Sequence, residues 1–258
     1  MSKLTQNVSL TRENIVKTIR DETQSLPYFQ CMWEAGAAAF GRVDEWSDID
    51  LQLAVDDDKV ADAVSTINQL LEKLGGIESR LVLPEPTPHG HWQAFYQLKG
   101  SSPYLLLDLV IMKKGTSRDR FSQPEIHGNA KVYYDKVGFV ETEPLNRRDL
   151  NEKLRKRAEF ISAQFDLFQP FVLKELNRKN YVEAFAYYNG VTLRPLVEIL
   201  RIKYCPERYD FYTRYVYYDL PRDVAERLEK FYYVSNPDDL ERKHHEAGEW
   251  FRSIRPIG

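Results

Sequence analysis

At 258 residues, the chain is long enough for one large domain or two modest ones, each with its own core. A net charge of −3, spread over many charges of both signs, supplies no global attraction to nucleic acid or to an anionic membrane. The longest apolar runs are too short to cross a bilayer, and Met1-Ser2-Lys3-Leu4-Thr5-Gln6 lacks the apolar core of a secretory leader. Cys31 and Cys205 are far apart and outside any metal-spaced motif, so both read as reduced thiols of a cytoplasmic protein.

Taken in order, Thr11 is an N-cap with Glu13 in the first turn, for a helix through Ile15, Val16 and Ile19 that stops near Pro27. Residues 28–34 form an aromatic-rich strand, residues 36–41 turn into a short segment of alanines, and residues 48–55 alternate as a second strand. Asp56, Asp57 and Asp58 lack the spacing and closing Glu of a calcium loop. They are expected to cap and charge the next helix. That helix carries Val60, Ala63, Val64, Ile67, Leu70, Leu71 and Leu74 on one face and ends at Gly75-Gly76. A strand over 77–83, a proline-marked loop over 84–90 and an alternating strand over 91–98 follow. Residues 104–112 read as a central, buried strand whose one charge is Asp108.

Residues 113–143 are loop-like, with a short strand at 131–134. The character changes after Pro144. Leu150, Leu154, Ala158, Ile161, Phe165 and Phe168 step by three and four along a helix face, and Pro170 bends or ends it. A second long helix is expected over 181–204, kinked at Pro195. Residues 206–220 are aromatic and irregular. Shorter helices cover 222–231 and 238–253, the last opened by Asn236, Pro237, Asp238 and Asp239. The shift in composition divides the chain into 1–143 and 144–258.

Asp48 and Asp50 stand two apart on a strand, so their side chains share a face. Two adjacent carboxylates repel, and one pKa rises unless a cation sits between them. A divalent metal is the usual resolution, and oxygen-only ligands suit Mg²⁺. Gly36-Ala37, ten intervening residues and Asp48-Ile49-Asp50 together resemble the nucleotidyltransferase signature of the DNA polymerase β superfamily, in which Gly-Gly or Gly-Ser precedes an Asp-x-Asp strand. The longer run Gly41-Arg42…Asp44-Glu45-Trp46-Ser47-Asp48-Ile49-Asp50-Leu51 is similar to the aminoglycoside and minimal nucleotidyltransferases of bacteria. The resemblance is sharp over residues 33–55 and diffuse beyond them. Ala37 departs from the family's Ser or Gly. The backbone N–H that cradles phosphate survives this change, whereas a hydroxyl contact to phosphate is lost.

The resemblance implies an α/β (α+β) nucleotidyltransferase-like mixed-sheet domain followed by an α-helical C-terminal domain, with the active site in the cleft between them. Asp108, a lone charge in an apolar strand, needs a partner. It is either tied to an Arg or to backbone amides, or it is the third metal carboxylate. On the family reading, Asp48, Asp50 and Asp108 are the catalytic residues and hold one or two Mg²⁺ ions against a nucleoside triphosphate. The backbone amides of Gly36 and Ala37 grip the terminal phosphates. Ser47 donates to phosphate or caps its turn, and Arg42 pairs with phosphate or lies at the surface. The drug-modifying relatives can draw a carboxylate base from the helical domain. Glu183 and Glu198 are candidates for that base, or ordinary surface acids. Arg194, Arg201 and Lys203 face the phosphates or solvent. His89, His91, His244 and His245 lack zinc spacing.

The expected reaction is Mg²⁺-dependent transfer of a nucleoside monophosphate, AMP from ATP, to a hydroxyl acceptor with release of pyrophosphate. The acceptor is a small molecule such as an aminoglycoside-like antibiotic, a protein side chain or an RNA end. The acidic net charge argues against long nucleic acid, and no membrane partner is expected. The competing reading is a non-catalytic module that senses nucleotide or binds a partner, as in a toxin–antitoxin-like pair. Ala37 speaks for it and the three retained aspartates speak against it.

Overall fold

The computed structural model describes residues 10–116 and 123–255; the leader segment considered above, residues 1–6, lies outside the described residues. The chain divides into two compact units, Met1–Pro144 and Leu145–Gly258.

The first unit is built on a six-stranded mixed sheet. Its strands are β1 (Phe29–Glu34), β2 (Ile49–Val55), β3 (Ile77–Val82), β4 (Trp92–Leu98), β5 (Leu107–Lys113) and β6 (Lys131–Asp135). They lie in the order β3-β4-β5-β2-β1-β6. β2 and β5 run parallel in the middle and the other neighbours are antiparallel. The period of two divides each strand between two environments. Ile49, Leu51, Leu53, Leu107, Leu109 and Ile111 pack into one core with α1 (Arg12–Gln24) and α3 (Val60–Leu74). Ala54, Val110 and Met112 point the other way and pack with Cys31, Trp33 and Phe139. Asp50 and Asp108 stand on this second face, and among the described residues α1 and α3 contribute to the core of the opposite face.

Thr11 caps α1 by accepting from Asn14 N–H, and the glycine pair ends α3. The three acids before α3 do not cap it. Lys59 precedes the helix without a side-chain cap. Asp56 instead meets Lys114 Nζ at 2.8 Å and Gln30 Nε2 at 2.9 Å, while Asp57 accepts from Gly115 N–H at 2.9 Å. The end of β2 delivers these carboxylates beside the end of β5. A cation and an unpaired strand-end N–H satisfy them there. The strand over 104–112 is also shorter than its sequence suggests. Residues 102–105 turn, with Leu105 N–H on Ser102 O, and leave Tyr104 exposed. One short helix, α2 (Gly36–Ala39), links β1 to the loop before β2, and another, α4 (Pro124–His127), lies within the stretch expected to be loop.

The second unit is helical: α5 (Arg147–Phe168), α6 (Pro170–Asn177), α7 (Tyr181–Tyr187), α8 (Arg194–Tyr204), α9 (Val216–Asp219), α10 (Arg222–Tyr232) and α11 (Pro237–Ile254). Leu150, Leu154, Ala158, Ile161 and Phe165 form the buried face of α5, and Phe165 stacks on Phe251 with ring centroids 3.7 Å apart. The helix expected over 181–204 is continuous but changes pitch. Residues Tyr188–Leu193 form a π-helical segment immediately before Pro195. Proline offers no N–H and collides with the preceding turn, and one wider turn accommodates both defects. Arg201, thought of as a surface or phosphate-facing residue, is fully buried. It bonds Asp219 Oδ2 at 3.0 Å, and the carbonyls of Tyr212, Arg208 and Arg214. Cys31 and Cys205 are both buried. Among the described residues, no helix is long and apolar enough to cross a membrane.

Candidate functional site

The parallel pairing of β2 and β5 sets Asp50 directly opposite Asp108. Neighbouring strands lie about 4.8 Å apart and in-register residues point to the same face, so these two carboxylates share one stretch of the sheet. Asp48 lies just before β2 and is exposed. Its Oδ1 is 3.4 Å from Leu106 N, which ties the approach to β2 to the approach to β5.

The electrostatics are those of crowded acids. Burial, then the charges of Asp108 and Asp48, push the Asp50 carboxyl up from 3.8 to about 6, against the smaller pull of Arg12 and of the Ala37 N–H. Burial also raises Asp108, opposed by its hydrogen bond from Gln93 and reinforced by Asp48. Two residues along the same face, Gln52 is buried and its Oε1 meets no donor among the described residues.

Gly36 meets a structural demand of its own. Its φ of +51° is left-handed, and a Cβ here would overlap Asp50 Oδ2. The missing side chain makes room for the Asp50 carboxylate, and the Ala37 N–H expected for phosphate donates to that same carboxylate. Ser47 likewise serves its own turn: Oγ donates to Asp44 Oδ1 at 2.7 Å and accepts from Asp44 N–H at 2.9 Å. Arg42 is half-buried, with its guanidinium 5.1 Å from the Phe40 ring centroid.

Other residues around the aspartates escaped the sequence reading. Arg12 Nη1 donates to Asp48 O at 2.5 Å and to Ser47 O at 3.3 Å, while Nη2 pairs with the fully buried Glu34. Glu34 Oε2 also accepts from Tyr133 Oη at 2.6 Å. Gln93 Nε2 donates to Asp108 Oδ1 at 2.7 Å, and Gln93 Oε1 is 2.9 Å from His89 Nε2. Among the described residues the hydrogen-bond partner of Asp108 is therefore a neutral amide, neither an Arg nor the backbone. Trp46 and Tyr104, exposed on the two loops that Asp48 joins, meet edge to face at 5.0 Å. The alternation of β4 put Gln93 on a definite face, but only the sheet order reveals that Asp108 lies on the next strand.

No family model matches the chain, and no curated protein does. Among solved structures, it is similar to an aminoglycoside 6-adenyltransferase from Bacillus subtilis, with 15% identity, covering 95% of this chain and 89% of that one at a TM-score of 0.37. It is also similar to a spectinomycin adenyltransferase from Enterococcus faecialis, solved with ATP and spectinomycin. That match has 11% identity, covers 93% of this chain and 97% of that one, and has a TM-score of 0.34.

The donor set suits a hard divalent cation in its chemistry. It consists of carboxylate oxygens whose mutual repulsion a cation relieves, with an unmet amide oxygen on the same face. Among the described residues, no three His, Cys, Asp or Glu side chains form a ready-made metal cluster. Asp50 and Asp108 are held by the sheet, whereas Asp48 lies outside β2 and is exposed. In the helical unit, both oxygens of Glu198 are taken by Arg157, at 2.5 and 2.9 Å. Glu183 accepts from Asn180 at 2.6 Å. The Arg194 and Lys203 cations lie 5.4 and 5.1 Å from the ring centroids of Tyr212 and Tyr204.

Proposed function

We propose that the chain is a divalent-metal-dependent nucleotidyltransferase that moves AMP from ATP to a hydroxyl on a small-molecule acceptor and releases pyrophosphate. One observation carries the reading: Asp50 and Asp108 face together across parallel strands, and a side-chain-free Gly36 leaves room for the Asp50 carboxylate. Crowding of like charges costs stability, and a site that binds a cation is a physical reason to bear that cost.

Asp50 and Asp108 would hold the metal, and Asp48 would complete the set by rotating inward. When bound, Mg²⁺ supplies neutralisation of the triphosphate and of the departing pyrophosphate. The chain's own contribution is position, which phosphoryl chemistry chiefly needs. Gln93 already occupies Asp108 Oδ1 and Oδ2 is the oxygen left for the metal, so the hydroxyl proton of the acceptor would pass to water. The Ala37 N–H contributes to holding Asp50 in the ligand-free protein.

Calorimetric titration with ATP, GTP, CTP and UTP, with and without Mg²⁺, tests the reading. The expected result is Mg²⁺-dependent binding of ATP that is lost in folded Asp50→Asn and Asp108→Asn. A folded wild type that binds no triphosphate at millimolar concentration overturns it in favour of a non-catalytic module.

A further inference from the structure

The loop before β4 is tied to Asp108 by a chain of hydrogen bonds whose direction can be worked out atom by atom. Asp108 Oδ1 is 2.7 Å from one end of the Gln93 amide. An ionised carboxylate only accepts, so that end is the NH₂ group. The Gln93 carbonyl oxygen then faces His89 Nε2 at 2.9 Å and needs a donor. At its other ring nitrogen, His89 Nδ1 accepts the N–H of His91 at 3.2 Å, which leaves the proton of the neutral ring on Nε2. Thr87 does not disturb this order. Its hydroxyl lies 3.3 Å from His89 Nδ1 but directs its proton to His91 O at 2.5 Å.

We infer that His89 and Gln93 form a positioning chain that fixes the Asp108 carboxylate, engaging Oδ1 and leaving Oδ2 open to a divalent cation. The inference rests on the metal reading above and adds to it the residues that orient one ligand. Asp108 already demands the NH₂ end of the Gln93 amide, and a donor at the other end locks that orientation. His89 supplies that donor, so turning the amide over would set a carbonyl against the carboxylate and an NH₂ against an N–H as well. Supporting groups of this kind typically change metal affinity by about 10- to 100-fold when removed. The chain also gives the proline-marked loop a role at the site without direct contact with the ion.

The test is Mn²⁺ titration of the full chain followed by electron paramagnetic resonance, in the absence of nucleotide, with thermal melts of each metal-free protein. His89→Ala and Gln93→Leu are each expected to weaken Mn²⁺ binding about 10-fold with melting temperatures close to wild type. The double variant should bind no more weakly than the weaker single variant, because the two residues act as one unit. His89→Gln, which can still donate to Gln93 Oε1, should recover part of the affinity. Unchanged Mn²⁺ affinity in both single variants overturns the inference while leaving the metal reading intact. Additive losses in the double variant also overturn it, by showing two independent effects. A folded wild type that binds no Mn²⁺ takes down the metal reading and this inference with it.

Discussion

Asp50 and Asp108 are partners in register across the central parallel strands, and burial together with the Asp108 charge holds the Asp50 carboxyl up at about 6. The folded state therefore binds a proton at Asp50 that the unfolded chain, with a carboxyl near 3.8, releases. Stability from this group falls as pH rises from about 4 to about 6 and is lowest above that window. Asp50→Asn removes the penalty. The ligand-free variant is expected to be about 1–3 kcal/mol more stable than wild type at pH 7, converging with it below pH 4. Urea unfolding across pH 4–7 measures the difference curve; a flat curve would show that Asp50 titrates as an ordinary exposed acid.

Gly36→Ala is expected to cost about 1–3 kcal/mol, because it places a Cβ against Asp50 Oδ2 on a left-handed backbone. Its distinctive effect lies in binding. The carboxylate must move to admit the methyl group, so on the proposed metal reading divalent-cation affinity should fall even where the protein remains folded. Thermal melts and Mn²⁺ titration on one preparation separate the two effects.

Arg12 reaches from α1 to the loop that carries Asp48, and it is anchored by fully buried Glu34. Arg12→Met leaves Glu34 with Tyr133 as its remaining described partner and is expected to cost about 3–5 kcal/mol. Replacing both charges, in Arg12→Met with Glu34→Leu, should recover most of that loss, since the penalty comes from an uncompensated buried charge. Chemical denaturation of the two variants decides; a double variant as unstable as Arg12→Met would locate the cost in packing.

Glu198 was a candidate base on sequence grounds, yet Arg157 occupies both of its oxygens. Glu198→Gln should therefore lower stability by about 1 kcal/mol and, on the proposed function, leave nucleotidyl transfer near the wild-type rate. A loss of rate with unchanged nucleotide affinity would return Glu198 to the catalytic group.

Much of the first unit was legible in the chain. The alternation of residues 48–55, the N-cap at Thr11 and the glycine stop at 75–76 act through neighbours a few residues away. Their elements appear at the expected places within a residue or two. Where a choice depended on distant partners, local rules erred. Asp56 and Asp57 found Lys114 and Gly115 in place of the helix start, and Arg201 found an internal ring of acceptors in place of solvent. The Pro195 defect was foreseen, but its form as a π-helical turn was not, because the packing of a helix decides how it absorbs a missing hydrogen bond.

The sequence by itself determined that Asp50 stands on an alternating strand, with Asp48 two residues before it and a glycine a short span upstream, since spacing along a strand dictates which side chains share a face. Only the tertiary structure decided that Asp108 is the residue opposite Asp50, that Gly36 is there to admit the Asp50 carboxylate, and that Gln93 and His89 stand behind Asp108. Each of those facts depends on strand order and register, which bring residues dozens of positions apart to within hydrogen-bonding distance. Periodicity along a single strand carries no information about which strand becomes its neighbour.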